Sequence, residues 1–445
     1  MAMRRAGELR HEAGQSGTAT NALSAGLVEW LIYTLLTALV AAALLAPLAL
    51  PFLLLALGLT VAINDALLGR LGVPRGLLGP VPVAAYGLCL LVLASAGWSL
   101  LPSEAYSTAI VYLLLTLVAV GIPSWFTLLP LADKIKVLRP VAIGGLIGLV
   151  LLLADILVSG SLTAALINSE PGLVNPMQKG LSYDHNGVAS ALGFYFNRNV
   201  AALLLVLPGI LLAAALCPPF AGRRWLIWAI AAIAAGAILL SSSESAKLGL
   251  LAAIAAYGAA RLWPRPVRQV LLVVLVLGIA LAVPIARLPF AAGLQHAEWL
   301  PLSFRDRVAI WDYTGEHVGD APWLGIGVRG NAIMHARYKR TLAADSQQVL
   351  QRRPGWHPHN AYLEIWSELG AAGALLTLLL ATGMVCGIDR MPPTVRPAGY
   401  ALVAAVAAIL ATGWSLWQAW LIAGVVTAII IVQLASRTVI DQKAV

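Results

Sequence analysis

Charged residues are scarce in this sequence. Asp, Glu, Lys and Arg make up 11% of the 445 residues, whereas 60% of the residues are hydrophobic. A soluble domain of this length would need far more surface charge, so the composition excludes one. The apolar runs are about 20 residues long and do not alternate with a period of two, which favours helices over a β-barrel. The sequence therefore predicts an all-α polytopic membrane protein.

Cysteine is nearly absent as well. Cys89, Cys217 and Cys386 each stand alone in or beside an apolar run. Without paired spacing they indicate neither a disulfide framework nor a zinc site. The sequence also lacks an internal repeat with matching interrupted helices, which disfavours the secondary transporters that are built from such repeats.

The apolar runs predict about 12 transmembrane helices. We expect them to begin near the following residues: Leu27, Leu48, Val81, Ala109, Val141, Val200, Trp225, Ala246, Val270, Ala361, Ala398 and Trp417. Every second connection is rich in basic residues, as the positive-inside rule requires. These residues are Arg70, Arg75, Lys134, Lys136, Arg139, Arg223, Arg224, Arg261, Arg265, Arg268, Arg390 and Arg396. Both termini are therefore expected on the cytoplasmic side.

This alternation divides the chain into five segments. They are a cytoplasmic N-terminal tail (1–26), transmembrane helices 1–9 (27–286), a large outer loop (287–360), transmembrane helices 10–12 (361–437) and a cytoplasmic C-terminal tail (438–445). The net charge of +9 follows mostly from the basic inner connections. Topology thus explains the charge, and no nucleic-acid partner is expected.

The large outer loop is expected to contain short helices. Ser303-Phe304-Arg305-Asp306 has the form of a capping box, and Phe304, Val308 and Trp311 follow at helical spacing. We interpret this stretch as an amphipathic helix lying on the membrane, with Arg305 able to reach a lipid phosphate. Downstream, Gly325-Ile326-Gly327-Val328-Arg329-Gly330 matches the dinucleotide-binding glycine pattern, but no βαβ unit surrounds it. We therefore interpret these residues as turn glycines.

A histidine pair stands where the outer loop meets the next apolar helix. The stretch reads His357-Pro358-His359-Asn360-Ala361-Tyr362-Leu363-Glu364. Asn360 is a suitable N-cap for a helix beginning at Ala361, and Glu364 would favour the helix dipole. His359 would then lie at the positive end of that helix as a candidate general base beside an anion site. His357 remains open as the base, and no third ligand is spaced for a metal.

A second polar group lies at the outer ends of other spans. Asn197-Arg198-Asn199 begins the sixth span, and Ser241 to Lys247 connects the seventh span to the eighth. Ionisable residues at such positions usually face a polar cavity or a partner, so Arg198, Glu244 and Lys247 are candidates for a shared site. In the alternative interpretation, Glu244 and Lys247 only neutralise each other.

These blocks together resemble the O-antigen ligase and polymerase superfamily. The resemblance is carried by Arg305 with Trp311, by Gly325-Ile326-Gly327, by the stretch from His357 to Glu364, and by Glu368-Leu369-Gly370. It implies a GT-C-like fold and an inverting, metal-independent glycosyltransferase without a cofactor, acting in the bacterial inner membrane. The active site would face the periplasm, which makes 287–360 a periplasmic loop. The donor would be an undecaprenyl-diphosphate-linked O-antigen and the acceptor, in the ligase branch, a sugar hydroxyl of lipid A-core.

The resemblance also implies roles for individual residues. His359 matches the functional histidine of the family and Arg305 its loop arginine, so we take both as catalytic, while Arg198 matches a basic residue at the sixth span. The candidates for binding the diphosphate or substrate are Arg198, Lys247, Arg307, His357, Asn360 and Tyr362. One departure is Glu244, which stands where many relatives have Arg.

Three other functions stay open. An O-antigen polymerase and a protein O-oligosaccharyltransferase would share the fold and the donor, whereas a transporter would perform no chemistry. The dominance of one outer loop favours a ligase over a polymerase. The charges gather at the outer ends of spans rather than at their centres, which disfavours a transporter.

Overall fold

The protein is helical along almost all of the chain that the computed structural model describes. The described residues are 26–69, 76–169, 181–186, 188–191, 194–218, 221–341 and 351–444. The helices are α1 (Gly26–Leu45), α2 (Leu50–Leu67), α3 (Pro80–Ser95), α4 (Pro102–Phe126), α5 (Leu131–Leu157), α6 (Ser161–Ser169), α7 (Asn197–Leu216), α8 (Arg223–Leu240), α9 (Glu244–Leu262), α10 (Pro264–Ala280), α11 (Ala282–Ala291), α12 (Leu302–His317), α13 (Gly330–Thr341), α14 (Ala361–Asp389), α15 (Arg396–Thr412) and α16 (Ala419–Ala444). Two short antiparallel strands, Leu181–Tyr183 and Ala189–Ala191, pair between α6 and α7. The prediction of an all-α polytopic membrane protein is confirmed.

Each of the twelve predicted spans falls on a helix or on one bent pair of helices. Within the described ranges, eight helices are long and apolar enough to cross a membrane, and the pair α10–α11 raises that number to nine. Helices α3 and α15 are apolar but shorter, with 16 and 17 residues. Helix α9 has 19 residues, and Glu244 and Lys247 are its first and fourth residues. The predicted tail 1–26 lies outside the described residues except for Gly26.

Ion pairs connect those ends of the helices that the sequence predicts to be cytoplasmic. Lys134, near the start of α5, pairs with Asp441 at the end of α16. Arg268 of α10 lies 2.9 Å from Asp389 at the end of α14. These pairs join basic connections that the positive-inside alternation puts on one side of the membrane.

The outer loop begins inside a bent helix. Between α10 and α11 the chain turns by 72°, and α11 continues to Ala291, past the predicted end of the ninth span at residue 286. Helix α12 then follows, and α11 and α12 pack against each other and against α14. The loop therefore packs onto the outer ends of the membrane helices, and it contains the short helices that the sequence predicts.

The start and the orientation of α12 differ from the sequence prediction. The helix begins at Leu302 with Pro301 as its N-cap, and no side chain caps it, so the predicted capping box at Ser303 is wrong. With Pro301 as the N-cap, the helix starts two residues earlier than a cap at Ser303 would allow, and Ser303 lies inside the first turn. The apolar stripe of Phe304, Val308 and Trp311 packs against Leu363 of α14, so it faces protein rather than lipid.

The glycine turn of the outer loop fills a break in α14. Helix α14 is interrupted at Gly370, where φ is 61° and ψ is −157°. The backbone N–H groups of Ile326 and Gly327 donate to the carbonyls of Ser367 and Glu368, at 2.9 and 3.0 Å. On the other side of the break, the N–H of Ala371 donates to Pro322. The interpretation of 325–330 as turn glycines is confirmed, because Gly325 and Gly327 both have positive φ.

Candidate active site at the outer ends of the helices

The connection between α15 and α16 contacts three of the predicted site residues. We call residues 412–420 the outer connection; it runs from the last residue of α15 to the second residue of α16. Arg307 donates from Nη1 to the carbonyl of Thr412 at 2.6 Å. His359 places Nδ1 at 3.0 Å from the next carbonyl, that of Gly413. Arg198 lies with its Cζ atom 5.9 Å from the ring centroid of Trp420.

His359 is held in a defined orientation. Its backbone has a positive φ of 54°, and its N–H donates to Nδ1 of His357 at 3.2 Å. Trp311 of α12 fixes the preceding residue by donating from Nε1 to the Pro358 carbonyl at 2.7 Å. Because a carbonyl only accepts, Nδ1 of neutral His359 must carry the proton toward Gly413, and Nε2 then carries the lone pair. This is the tautomer that a general base requires.

The start of α14 is capped from within the protein. The Asn360 side-chain oxygen accepts hydrogen bonds from the N–H groups of Tyr362 and Leu363, at 3.1 and 3.2 Å, so the predicted N-cap is confirmed. The Tyr362 hydroxyl donates to the carbonyl of Ala407 in α15 at 3.0 Å. Both residues therefore fix the start of α14 beside His359, and Asn360 already satisfies two of the amides expected to face an anion.

Arg305 and Arg307 lie on the first turns of α12 and form no ion pair with a carboxylate in the described part of the chain. The Nε of Arg305 is buried and has no hydrogen-bond partner there. Burial lowers the pKa of the Arg307 guanidinium from its ordinary value, although an arginine still remains charged. The other arginines packed around α12 differ, because Arg352 and Arg353 lie 2.5 Å from Asp312 and 2.6 Å from Asp306.

Arg198 is the third guanidinium of this kind. It lies in the first turn of α7, its Nε is buried, and no described residue accepts a hydrogen bond from that nitrogen. Its face is covered by Trp420, which packs edge-to-face with Trp414 at 5.0 Å between ring centroids. A buried cation without a carboxylate partner is costly, and an anionic ligand would offset that cost.

Lys247 has a partner of its own. Its Nζ lies 2.9 Å from Oε1 of Glu244, three residues earlier on α9, and the Glu244 side chain is 69% exposed. Ser243 caps the helix by accepting from the N–H of Ala246. The structure thus favours the alternative in which Glu244 and Lys247 neutralise each other.

Two buried glutamates of α14 were not assigned to the site from the sequence. Glu364 is 1% exposed and accepts hydrogen bonds from the Ser415 hydroxyl at 2.7 Å and from the Leu416 N–H at 2.8 Å. Glu368 is equally buried and accepts from Trp417 Nε1 at 2.5 Å. Glu364 was interpreted only as favourable to the helix dipole. The signal that could have found the pair is the spacing of four, which puts two ionisable residues on one face of a membrane helix.

No group of three His, Cys, Asp or Glu side chains in the described ranges is arranged to hold a metal ion. The three cysteines carry free thiols, as their isolated positions in the sequence predict.

The site lies largely within a stretch that matches a known family. Residues 229–378 match the family model described as O-antigen ligase. The match extends from α8 into α14 and includes Lys247, Arg305, Arg307 and the segment from His357 to Tyr362, whereas Arg198 lies before it. No curated protein matches the chain. The match covers residues 229–378 of the 445-residue chain and supports membership of the O-antigen ligase/polymerase superfamily.

Proposed function

We propose that this protein is an O-antigen ligase, which transfers a glycan from undecaprenyl diphosphate to a sugar hydroxyl of lipid A-core. The observation that carries the proposal is the meeting of Arg198, Arg307 and His359 at the outer connection. Cations and a candidate base from three separate helices or loops converge on one short segment. The O-antigen ligase family match supports the same reaction class.

The cations suit a diphosphate leaving group. As the glycosidic bond breaks, negative charge grows on the diphosphate, and guanidinium groups fixed beforehand stabilise that charge without a metal ion. Arg198, Arg305 and Arg307 are half-buried and have no carboxylate partner among the described residues. We assign them to the donor diphosphate. Because the donor carries its own activation, the reaction needs no nucleotide on the periplasmic side.

The histidine suits activation of the acceptor. His359 would take the proton of the acceptor hydroxyl on Nε2, since its Nδ1 donates to the Gly413 carbonyl. Attack on the face opposite the leaving diphosphate then inverts the anomeric carbon. In this arrangement the protein is an inner-membrane enzyme with both termini in the cytoplasm and the site facing the periplasm.

The test is transfer by the purified protein in liposomes. The liposomes contain an undecaprenyl-diphosphate-linked glycan and lipid A-core, with no divalent metal added, and the products are separated on a gel. We expect a new ladder on lipid A-core. The control is the His359→Ala variant, which should produce no ladder while it remains folded and inserted.

Two other outcomes would replace the proposal by a different function, and a third would contradict its mechanism. Elongation of the carrier-linked glycan with unmodified lipid A-core would identify a polymerase. If neither changes while an added acceptor protein becomes glycosylated, the enzyme is a protein O-oligosaccharyltransferase. Activity that is lost with a chelator and restored by Mg²⁺ would contradict the metal-independent mechanism.

A further inference from the structure

We infer that Glu364 is a positioning residue for the base, and that it acts through the outer connection. This inference rests on the proposed function, in which His359 takes the acceptor proton. The carboxylate of Glu364 accepts hydrogen bonds from Ser415 and Leu416, and it thereby holds the backbone whose Gly413 carbonyl orients His359. The argument begins with the contacts at both ends of that backbone.

Glu364 holds the outer connection at its centre. One carboxylate oxygen accepts the Ser415 hydroxyl and the other accepts the Leu416 N–H, at 2.7 and 2.8 Å. Ser415 is 2% exposed, and its Oγ also accepts from the N–H of Trp417 at 3.2 Å. The Gly413 carbonyl, which meets Nδ1 of His359, lies only two residues before Ser415. A shift of Ser415 must therefore move the acceptor that selects the tautomer of His359.

A second anchor lies one helical turn further along α14. Glu368 accepts from Trp417 Nε1 and from the Arg329 N–H through one oxygen, at 2.5 and 2.7 Å. Its other oxygen accepts from the backbone and the side-chain amide of Asn331, at 3.1 and 2.9 Å. Glu368 therefore also fixes the start of α13. Glu364 is the better residue to test, because its carboxylate accepts hydrogen bonds from Ser415 and Leu416, which both belong to the outer connection.

The geometry gives Glu364 a specific kinetic role. His359 and Glu364 are only five residues apart in the sequence. The contact between them nevertheless runs through the outer connection, which joins α15 to α16. When the connection is fixed, the Gly413 carbonyl holds the proton on Nδ1 and leaves the lone pair on Nε2. When the connection is released, proton transfer loses its alignment, whereas the arginines stay in place on α7 and α12 and lose only their contacts with Trp420 and Thr412. The turnover rate should fall more than the affinity for the donor.

The experiment compares three substitutions with a matched control. Glu364→Ala removes both contacts to the connection, Glu364→Gln keeps an acceptor for Leu416, and Ser415→Ala removes only the hydroxyl. The control is Asp389→Asn, which neutralises another carboxylate of α14 that bonds Arg268 and Tyr400 at the opposite end of the helix. We measure kcat and the KM for the lipid-linked glycan in liposomes, and thermal unfolding of each variant.

We expect Glu364→Ala to lower kcat about 10- to 100-fold, as an ångström-scale misplacement does, with KM changed less than about threefold. Glu364→Gln should recover part of kcat, and Ser415→Ala should shift it in the same direction as Glu364→Ala. Asp389→Asn should leave kcat near that of the wild type. If Glu364→Ala does not fold, the Gln and Ser415 variants give the same test.

Combination with His359→Ala separates positioning from a general structural effect. If Glu364 acts through the histidine, adding Glu364→Gln to His359→Ala should leave the residual rate unchanged. A further fall equal to that in the single variant would overturn the inference. Wild-type kcat in Glu364→Ala, with His359→Ala inactive, would also overturn it and leave the proposed function standing. Full activity of His359→Ala would instead remove the base from the proposed function itself.

Discussion

The two histidines of the outer loop should respond very differently to replacement by alanine. His359 donates from Nδ1 to the Gly413 carbonyl and would act through Nε2 as the proposed base, whereas His357 accepts the His359 N–H at 3.2 Å. Among the interactions of the His357 side chain, His357→Ala therefore removes a neutral hydrogen bond to the His359 N–H and a ring contact with a centroid distance of 4.0 Å. Only His359→Ala removes the atom to which the acceptor proton would go.

These contacts give the expected magnitudes. Loss of a general base lowers the rate about 10²- to 10⁴-fold, so His359→Ala should retain at most about 1% of the activity. Loss of one neutral hydrogen bond costs about 1 kcal/mol, which corresponds to less than about tenfold in rate if all of it reaches the transition state. The expected ratio between the two variants is thus at least about tenfold.

The assay is the initial rate of glycan transfer to lipid A-core in liposomes, with equal amounts of inserted protein. Thermal unfolding of both variants controls for stability, which should change by about 1 kcal/mol or less for His357→Ala. If His357→Ala is the more damaged enzyme, or if the two lose activity equally, the assignment of the base from the Gly413 contact is refuted.

Three further substitutions test the rest of the site and the fold. Arg307→Ala should lower kcat about 10²- to 10³-fold, as removal of one oxyanion donor does, and retention of activity in gel assays of this variant would exclude Arg307 from diphosphate stabilisation. Lys247→Met should change the rate less than about threefold, because Glu244 already neutralises the exposed ammonium in a surface pair of small worth; a loss comparable to that of Arg307→Ala would return Lys247 to the site. Gly325→Ala should destabilise the protein by more than about 2 kcal/mol. Gly325 has a positive φ of 66°, and an added Cβ would lie 2.3 Å from the Glu368 carbonyl carbon. Unchanged thermal unfolding would contradict the close packing of this turn.

The membrane helices could be predicted from the sequence because their signal is local. Apolar runs of bilayer length and alternating basic connections depend only on composition along the chain, and all twelve predicted spans fall on helices. The helix cap at Asn360 is local in the same sense. The capping box predicted at Ser303 is wrong because a stronger local signal precedes it: Pro301 is the N-cap, and α12 starts two residues earlier than predicted.

The hydrogen bonds and ion pairs of the site could not be predicted, because most of them join segments that are distant in the sequence. Nothing near Glu364 in sequence indicates that its acceptors lie at Ser415 and Leu416. The partner that neutralises Lys247 is near in sequence and could be proposed from it. That Arg305 has no such partner within the described residues could be recognised only from the packed structure. Single residues on α12 and α14 could therefore be nominated from the sequence, while their division into ligand-binding and positioning roles could not.

The break in α14 connects two motifs that look independent in the sequence. Gly325-Ile326-Gly327 and Glu368-Leu369-Gly370 are about 40 residues apart, yet Cβ atoms added at Gly325 and Gly370 would lie 2.3 and 2.4 Å from the backbone of Glu368 and Trp323. An interrupted helix is tolerated at membrane depth only when other groups satisfy its open backbone N–H and C=O, and the 322–327 turn does so through four hydrogen bonds.

The break also divides α14 into two segments that make different contacts. The segment before Gly370 carries the Asn360 cap and both glutamates, and it is tied to the outer connection and to α13 rather than to lipid. The segment after Gly370 continues to Asp389 and is anchored by Arg268 at the opposite end. Because α14 is not continuous at Gly370, tilting of the span after the break is not transmitted directly to His359, which is held by Gly413 and by the Trp311 hydrogen bond to Pro358. We therefore interpret the paired glycine motifs as the element that keeps the segment of α14 before Gly370, with its two glutamates, in register with the outer connection.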